Sequence, residues 1–110
     1  NALFYFADEI DYEEKAARKF LKPAVLDALQ LLLAQFETLG SFSEEDLETA
    51  FKTVMEQTGL KLGKIAQPVR VALTGRTASP GIFEVATIIG KNKVIARLKK
   101  AIQYVERRSD

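Results

Sequence analysis

Apolar residues recur along this chain at intervals of three and four rather than two, and the elements follow from that spacing. In "LETAFKTVMEQTG", Leu47, Ala50, Phe51, Val54 and Met55 fall on one face of a 3.6-residue turn. Ser43 precedes this run as an N-cap with Asp46 three residues on, an imperfect capping box carrying Asp for the usual Glu or Gln. Gly59 closes the helix. Leu26, Leu29, Leu32, Leu33 and Phe36 repeat the spacing behind Pro23, whose missing N–H removes no bond at a first helical position. Gly40 ends that second helix. A shorter helix over 11–21 places acids early and bases late, as the helix dipole favours. No segment sustains the period-2 alternation of a strand. The pattern predicts an all-α domain, a compact helical cage or bundle of about six helices with short turns.

The second half of the chain is less regular. Leu62, Ile65, Ala66, Val69, Ala72 and Leu73 form one stripe, but Pro68 interrupts it. An interior proline costs about 3 kcal/mol, which predicts a kink or two short helices meeting near Gln67. "PGIFEVATIIG" is polar only at Glu84 and Thr87, which predicts a buried central helix, capped by Ser79, opened by Pro80 and ended by Gly90. A last helix over about 92–107 puts Val94, Leu98, Ala101, Ile102 and Val105 on one face. Lys93, Arg97, Lys100, Tyr104 and Arg107 follow on another, a basic stripe with one aromatic in it. Between the two apolar helices, "TGRTASPG" compresses a helix stop, a polar turn and a helix start. Arg70, Arg76 and several hydroxyls gather there beside an open helix N-terminus, which suits either a tight connection or a surface that reads a ligand.

Charge changes this picture more than composition does. The net charge of +1 conceals five Lys/Arg against twelve Asp/Glu in residues 1–60, and eleven against three in 61–110. Such asymmetry is a cue for contact with a polyanion. The 110 residues form one domain, 1–110, with acidic supporting helices in 1–60 and a basic part in 61–110. The absence of both Cys and His excludes disulfides, thiol chemistry, histidine bases and zinc fingers. Neither a metal site nor a catalytic constellation is expected, and no P-loop or HExxH motif is present. No apolar run is long enough to span a membrane and no signal peptide opens the chain, so no membrane partner and a cytoplasmic location are expected. The chain starts at Asn1 without Met, as though cut from something longer.

Residues 64–102, "KIAQPVRVALTGRTASPGIFEVATIIGKNKVIARLKKAI", closely resemble the C-terminal end of bacterial-type glutamyl-tRNA synthetases, which are class I aminoacyl-tRNA synthetases. The family pattern runs Gln-Pro-hydrophobic-Arg-x-Ala-Leu-Thr-Gly, then Ser/Thr-Pro-Gly, then Gly-Lys and Arg-Leu, and each piece is present in order. The resemblance implies an all-α anticodon-binding region appended to a Rossmann catalytic domain. The HIGH and KMSKS adenylate-forming motifs of that domain are absent here, so this fragment is expected to be no enzyme by itself and to hold no cofactor. ATP and Mg2+ would belong to the parent ligase. The implied partners are the anticodon loop of glutamate tRNA and the catalytic domain of the same parent chain.

By the same resemblance, Arg70 contacts the first anticodon base and Ile82 packs there, while Ser79 and Pro80 contact the middle base. Single-stranded bases are read in this way, through exposed edges and apolar or guanidinium faces. A second tier of RNA-backbone contacts comprises Arg76, Lys93, Arg97, Lys100, Tyr104 and Arg107. Thr74 and Thr77 are expected to stabilise the turn. The alternatives are a helical protein–protein module without RNA binding, a DNA-binding helix-turn-helix, and a non-discriminating domain that also accepts glutamine tRNA.

Overall fold

A computed structural model describes residues 10–108, and they are helical almost throughout, with no strand among them. Six α-helices follow in order: α1 (Glu14–Phe20), α2 (Leu26–Thr38), α3 (Glu44–Thr58), α4 (Leu62–Thr74), α5 (Ile82–Ile89) and α6 (Lys91–Arg107). Pro23 opens a 3-10 turn, Pro23–Val25, that feeds directly into α2. Lys22 before it is extended, as the residue preceding a proline is biased to be. At α3, Ser43 Oγ accepts the Asp46 N–H at 3.2 Å, so the predicted cap forms. The Asp46 carboxylate, however, accepts from Ser41 Oγ. Gly59 ends the helix at φ 75°, the left-handed conformation that glycine reaches without a Cβ clash.

The structure narrows one expectation for the second half and corrects another. Of a kink or two short helices, Pro68 does not give two helices, because α4 runs from Leu62 to Thr74 with the proline inside it. The ring forfeits the amide bond to the Lys64 carbonyl, one bond of the helix ladder. Pro68 itself is buried, so its apolar ring contributes to the core. The central helix is therefore α4, not α5. Eight of its thirteen residues are buried, and it packs against α1, α2, α3, α5 and α6. The α5 helix is short and lies at the surface: Ile82, Val85, Ala86 and Ile89 face inward, while Glu84 and Thr87 are exposed and Ile88 is 51% exposed. An apolar composition around a helix did not suffice to bury it when only one side has neighbours.

The core around α4 is built from Leu29, Leu32 and Phe36 of α2, Leu47, Phe51 and Val54 of α3, and Leu98 of α6, all essentially inaccessible. Phe51 meets Phe83 edge-to-face with ring centroids 5.2 Å apart, and Phe36 meets Phe42 likewise at 5.3 Å. Basic side chains from the C-terminal segment then fasten other helices by their ends. Lys91 Nζ donates to the Leu39 carbonyl at 2.7 Å beyond α2. Arg97 Nη1 donates to Leu73 O at 2.8 Å in the last turn of α4. Arg108 Nη1 donates to Arg18 O and Leu21 O at 2.9 and 2.7 Å at the end of α1. Each places a cation where orphan carbonyls and the negative end of the helix dipole converge.

Candidate nucleic-acid interface

The connection between α4 and α5 is fixed at its first residue. Gly75 has φ 80°, and a Cβ there would collide with the carbonyl oxygen of Asp11. The Gly75 carbonyl accepts the Glu13 N–H at 2.7 Å, so the strand of chain leading into α1 is docked on this turn. Thr74 Oγ1 lies 2.8 Å from Arg70 O and 3.1 Å from Arg76 O, and accepts the Arg76 N–H at 3.1 Å. The predicted turn-stabilising role of Thr74 is thus realised. Thr77 is exposed.

From this fixed base the chain returns to Arg70. Arg70 Nε donates to Ser79 Oγ at 2.8 Å, and Arg70 Nη1 donates to Gln67 Oε1 at 3.2 Å. Ser79 Oγ in turn donates to Pro80 O at 2.9 Å. Ser79 is therefore not an N-cap. The helix starts two residues later than its proline suggested, with Gly81 at the N-cap position and no side-chain cap. The hydroxyl has instead been taken by the arginine, nine residues earlier in sequence. Pro80 and Gly81 are exposed, and the first amides of α5 open beside them.

The donor and acceptor count at this site is restrictive. An arginine carries five N–H donors, and two of Arg70's are engaged, so three remain for acceptors on a ligand. Ser79 has committed its single proton to Pro80 O and one lone pair to Arg70, leaving a lone pair that can only accept. The site therefore offers donors at Arg70 and an acceptor at Ser79, side by side and half-buried. Ile82 is placed differently from the resemblance: at 5% exposure it belongs to the core and anchors the turn from beneath. Gln67 was missed, although its i, i+3 spacing to Arg70 on one helix was a visible signal.

The second tier divides. Arg97 is corrected outright: it is 3% exposed and holds the end of α4, and burial lowers its pKa from the ordinary arginine value. Such a side chain is not available to a phosphate. Lys100 is exposed, yet its Nζ donates to Ile10 O at 3.2 Å and sits 5.5 Å from the centre of the Tyr12 ring. Tyr104 is half-buried, edge-on to Tyr12 with centroids 5.5 Å apart. Together with Gln103, Arg107 and Arg108, these three residues line an open hollow of about 450 Å³. Lys93 is half-buried and Arg107 exposed. Arg76 lies in the turn itself, 72% exposed, in a loose ion pair with Glu13 at 3.5 Å. What sequence spacing drew as one basic stripe is, in space, a helix face partly covered by the segment 10–13.

A polar, half-buried arginine site on a short turn, flanked by exposed cations, matches the demands of reading a single-stranded loop. The sequence profile of the anticodon binding domain matches residues 1–102. The chain belongs to the anticodon-binding-domain family. As a member, this domain is 48% identical over 106 residues to the glutamate–tRNA ligase of Syntrophobacter fumaroxidans, covering 96% of this chain and 23% of that protein. It is 49% identical over 106 residues to the corresponding ligase of Desulfosudis oleivorans, again with 96% and 23% coverage. The crystal structure of a glutamate tRNA ligase from Elizabethkingia meningosepticum superposes with a TM-score of 0.85 at 29% identity, over 94% of this domain and 20% of that chain. The anticodon-binding domain thus spans less than a quarter of the length of these ligases. Among the described residues, no helix is long and apolar enough to cross a membrane.

Proposed function

We propose that this domain is the anticodon-reading part of a glutamate–tRNA ligase, holding the anticodon loop of glutamate tRNA while a separate catalytic domain of the same parent chain attaches glutamate. The observation that carries the reading is the 2.8 Å bond between Arg70 and Ser79, which brings two residues of separate motifs into one recognition surface. In this reading Arg70 donates to the first anticodon base, the free lone pair of Ser79 accepts an N–H of the middle base, and exposed Pro80 packs against it. Ile82 supports the turn from the core. Arg76, Lys93, Lys100, Tyr104 and Arg107 supply cations and one ring toward the RNA backbone, while Arg97 drops out of that set. ATP and Mg2+ act at the catalytic domain, and the parent works in the cytoplasm.

Short RNA hairpins carrying the glutamate anticodon loop, with each base varied in turn, test this at several salt concentrations. Arg70→Ala weakens the matching hairpin by about 1–3 kcal/mol and relaxes preference at one position. Arg76→Ala weakens every hairpin about equally and lowers the salt slope by roughly one unit. A guanidinium fork fixes the geometry of two hydrogen bonds, whereas a phosphate contact carries no sequence information. Equal losses for every sequence in both variants would show that Arg70 is only a positive charge. The glutamine-tRNA anticodon loop in the same titration separates a discriminating from a non-discriminating domain, and binding that withstands high salt points to a protein partner instead.

A further inference from the structure

We propose that Gln67 is a positioning residue: it aims the Arg70 guanidinium at the anticodon and makes Arg70 and Ser79 one reading unit. The inference rests on the anticodon-reading role of Arg70 given above and concerns how that role is achieved. A guanidinium on a flexible side chain has two degrees of freedom that matter for reading, the direction of its long axis and the rotation of its plane. One hydrogen bond constrains the first only. Here two bonds converge from different sides. Ser79 Oγ holds Nε at 2.8 Å, and Gln67 Oε1 holds Nη1 at 3.2 Å, which together fix the plane.

The two holders are themselves anchored differently. Gln67 lies one turn before Arg70 on α4, the helix most enclosed by its neighbours, between buried Ala66 and Pro68. Pro68 stiffens this turn because its φ is fixed by the ring. Ser79 is tied through its proton to Pro80 O, so its hydroxyl orientation is determined by the turn. Fixing the plane matters because the three unengaged N–H groups then point in set directions, and a bidentate contact to a base edge is formed without first ordering the side chain. Gln67 contributes no charge, so it adds nothing to phosphate attraction. Its effect is confined to base preference.

The test compares Gln67→Met, which keeps a similar volume without the acceptor, with Gln67→Glu, which keeps an acceptor oxygen for Arg70 and adds an acid near the RNA. Two readouts are taken on the whole chain. The first is the nitrogen-15 signal of the Arg70 Nη1 amino group, the one that Gln67 holds, in the free protein. It is resolved and protected from exchange in the wild type and in Gln67→Glu, and broadened in Gln67→Met. The second is the ratio of affinities for the matching hairpin and for hairpins changed at the base that Arg70 reads. Gln67→Met lowers that ratio by about threefold to tenfold, the loss of one ordering hydrogen bond, with the salt slope and melting temperature unchanged. Gln67→Glu lowers absolute affinity for every hairpin and retains the ratio. An Arg70 signal that stays protected in Gln67→Met overturns the proposal. A full base preference in Gln67→Met, beside a lost one in Arg70→Ala, overturns it too and leaves the reading role of Arg70 intact. Unchanged preference in Arg70→Ala removes the reading role itself, and the positioning role with it.

Discussion

Two serines show how far a residue's chemistry depends on its neighbours. Both precede a helix in sequence, and both were expected to cap it. Ser43 does, accepting the Asp46 amide, whereas Ser79 is bound to Arg70 and caps nothing. Ser43→Ala is therefore expected to cost about 0.5–2 kcal/mol in a denaturant titration, and Ser79→Ala less than half the measured cost of Ser43→Ala, because the Arg70 Nε–H it abandons is half-exposed and finds water. Equal costs would restore Ser79 as a cap. Glycines at 59 and 75 make a matching pair, with φ of 75° and 80°. Around Gly59 a Cβ meets open space, and at Gly75 it meets backbone of Asp11. Gly59→Ala should cost about 1–2 kcal/mol, the left-handed backbone term alone. Gly75→Ala should cost clearly more, since the segment 10–13 must also move away, and a cost no larger than at Gly59 would show that the segment yields freely.

At the level of elements, α6 combines an apolar face with cations that serve other helices. Arg97 and Arg107 lie on the stripe that periodicity alone makes equivalent, yet one is 3% exposed on the Leu73 carbonyl and the other faces water. Arg97→Met is expected to destabilise the fold by about 1.5–3 kcal/mol, the range for a hydrogen bond to a charged group. Arg107→Met should stay within about 0.5 kcal/mol. Thermal melts of the two variants decide between these roles, and a stable Arg97→Met protein would return Arg97 to the surface set. The same reasoning accounts for the basic half of the chain. Part of its charge answers helix C-termini, through Lys91, Arg97 and Arg108, rather than any polyanion.

For the molecule as a whole, the acidic and basic halves interlock. The α6 helix packs on α2, α5 on α3 and α4 on α1, so each half leaves apolar faces that only the other covers. A peptide of residues 61–110 should show little helical circular dichroism by itself and gain it when 1–60 is supplied, because short helices without packing are marginal in water. A fully helical 61–110 peptide would contradict this. Alkaline stability is a second whole-molecule property. The Tyr12 hydroxyl is buried without a hydrogen-bond partner, and its pKa is pushed up to about 12, by burial first and by Tyr104 second. The unfolded chain loses this proton near pH 10, the folded one about two units later, so the fold is favoured below 10 and loses that advantage as pH rises from 10 to about 12. Tyr12→Phe should be neutral or stabilising at pH 7 and should flatten the alkaline decline relative to wild type. An unchanged decline would assign it to other groups, such as the lysines.

The sequence by itself determined the fold class, the helix-bearing segments, the helix that carries Arg70 and the turn that carries Ser79, because 3.6-residue periodicity, glycine stops and a motif of fixed spacing are local properties. The cap at Ser43 and the stop at Gly59 were legible for the same reason, since each involves residues within one turn. Tertiary structure decided the rest. Whether Pro68 breaks a helix depends on the packing around its buried ring. Whether an apolar segment is central depends on what surrounds it, so α4 took the place expected of α5. Whether Arg97 is a phosphate ligand or a helix cap depends on Leu73, twenty-four residues away. Gln67 meets Arg70 within one turn of α4, but Ser79 joins them only because Gly75 turns the chain back onto that helix, a contact between elements that periodicity along one helix does not encode.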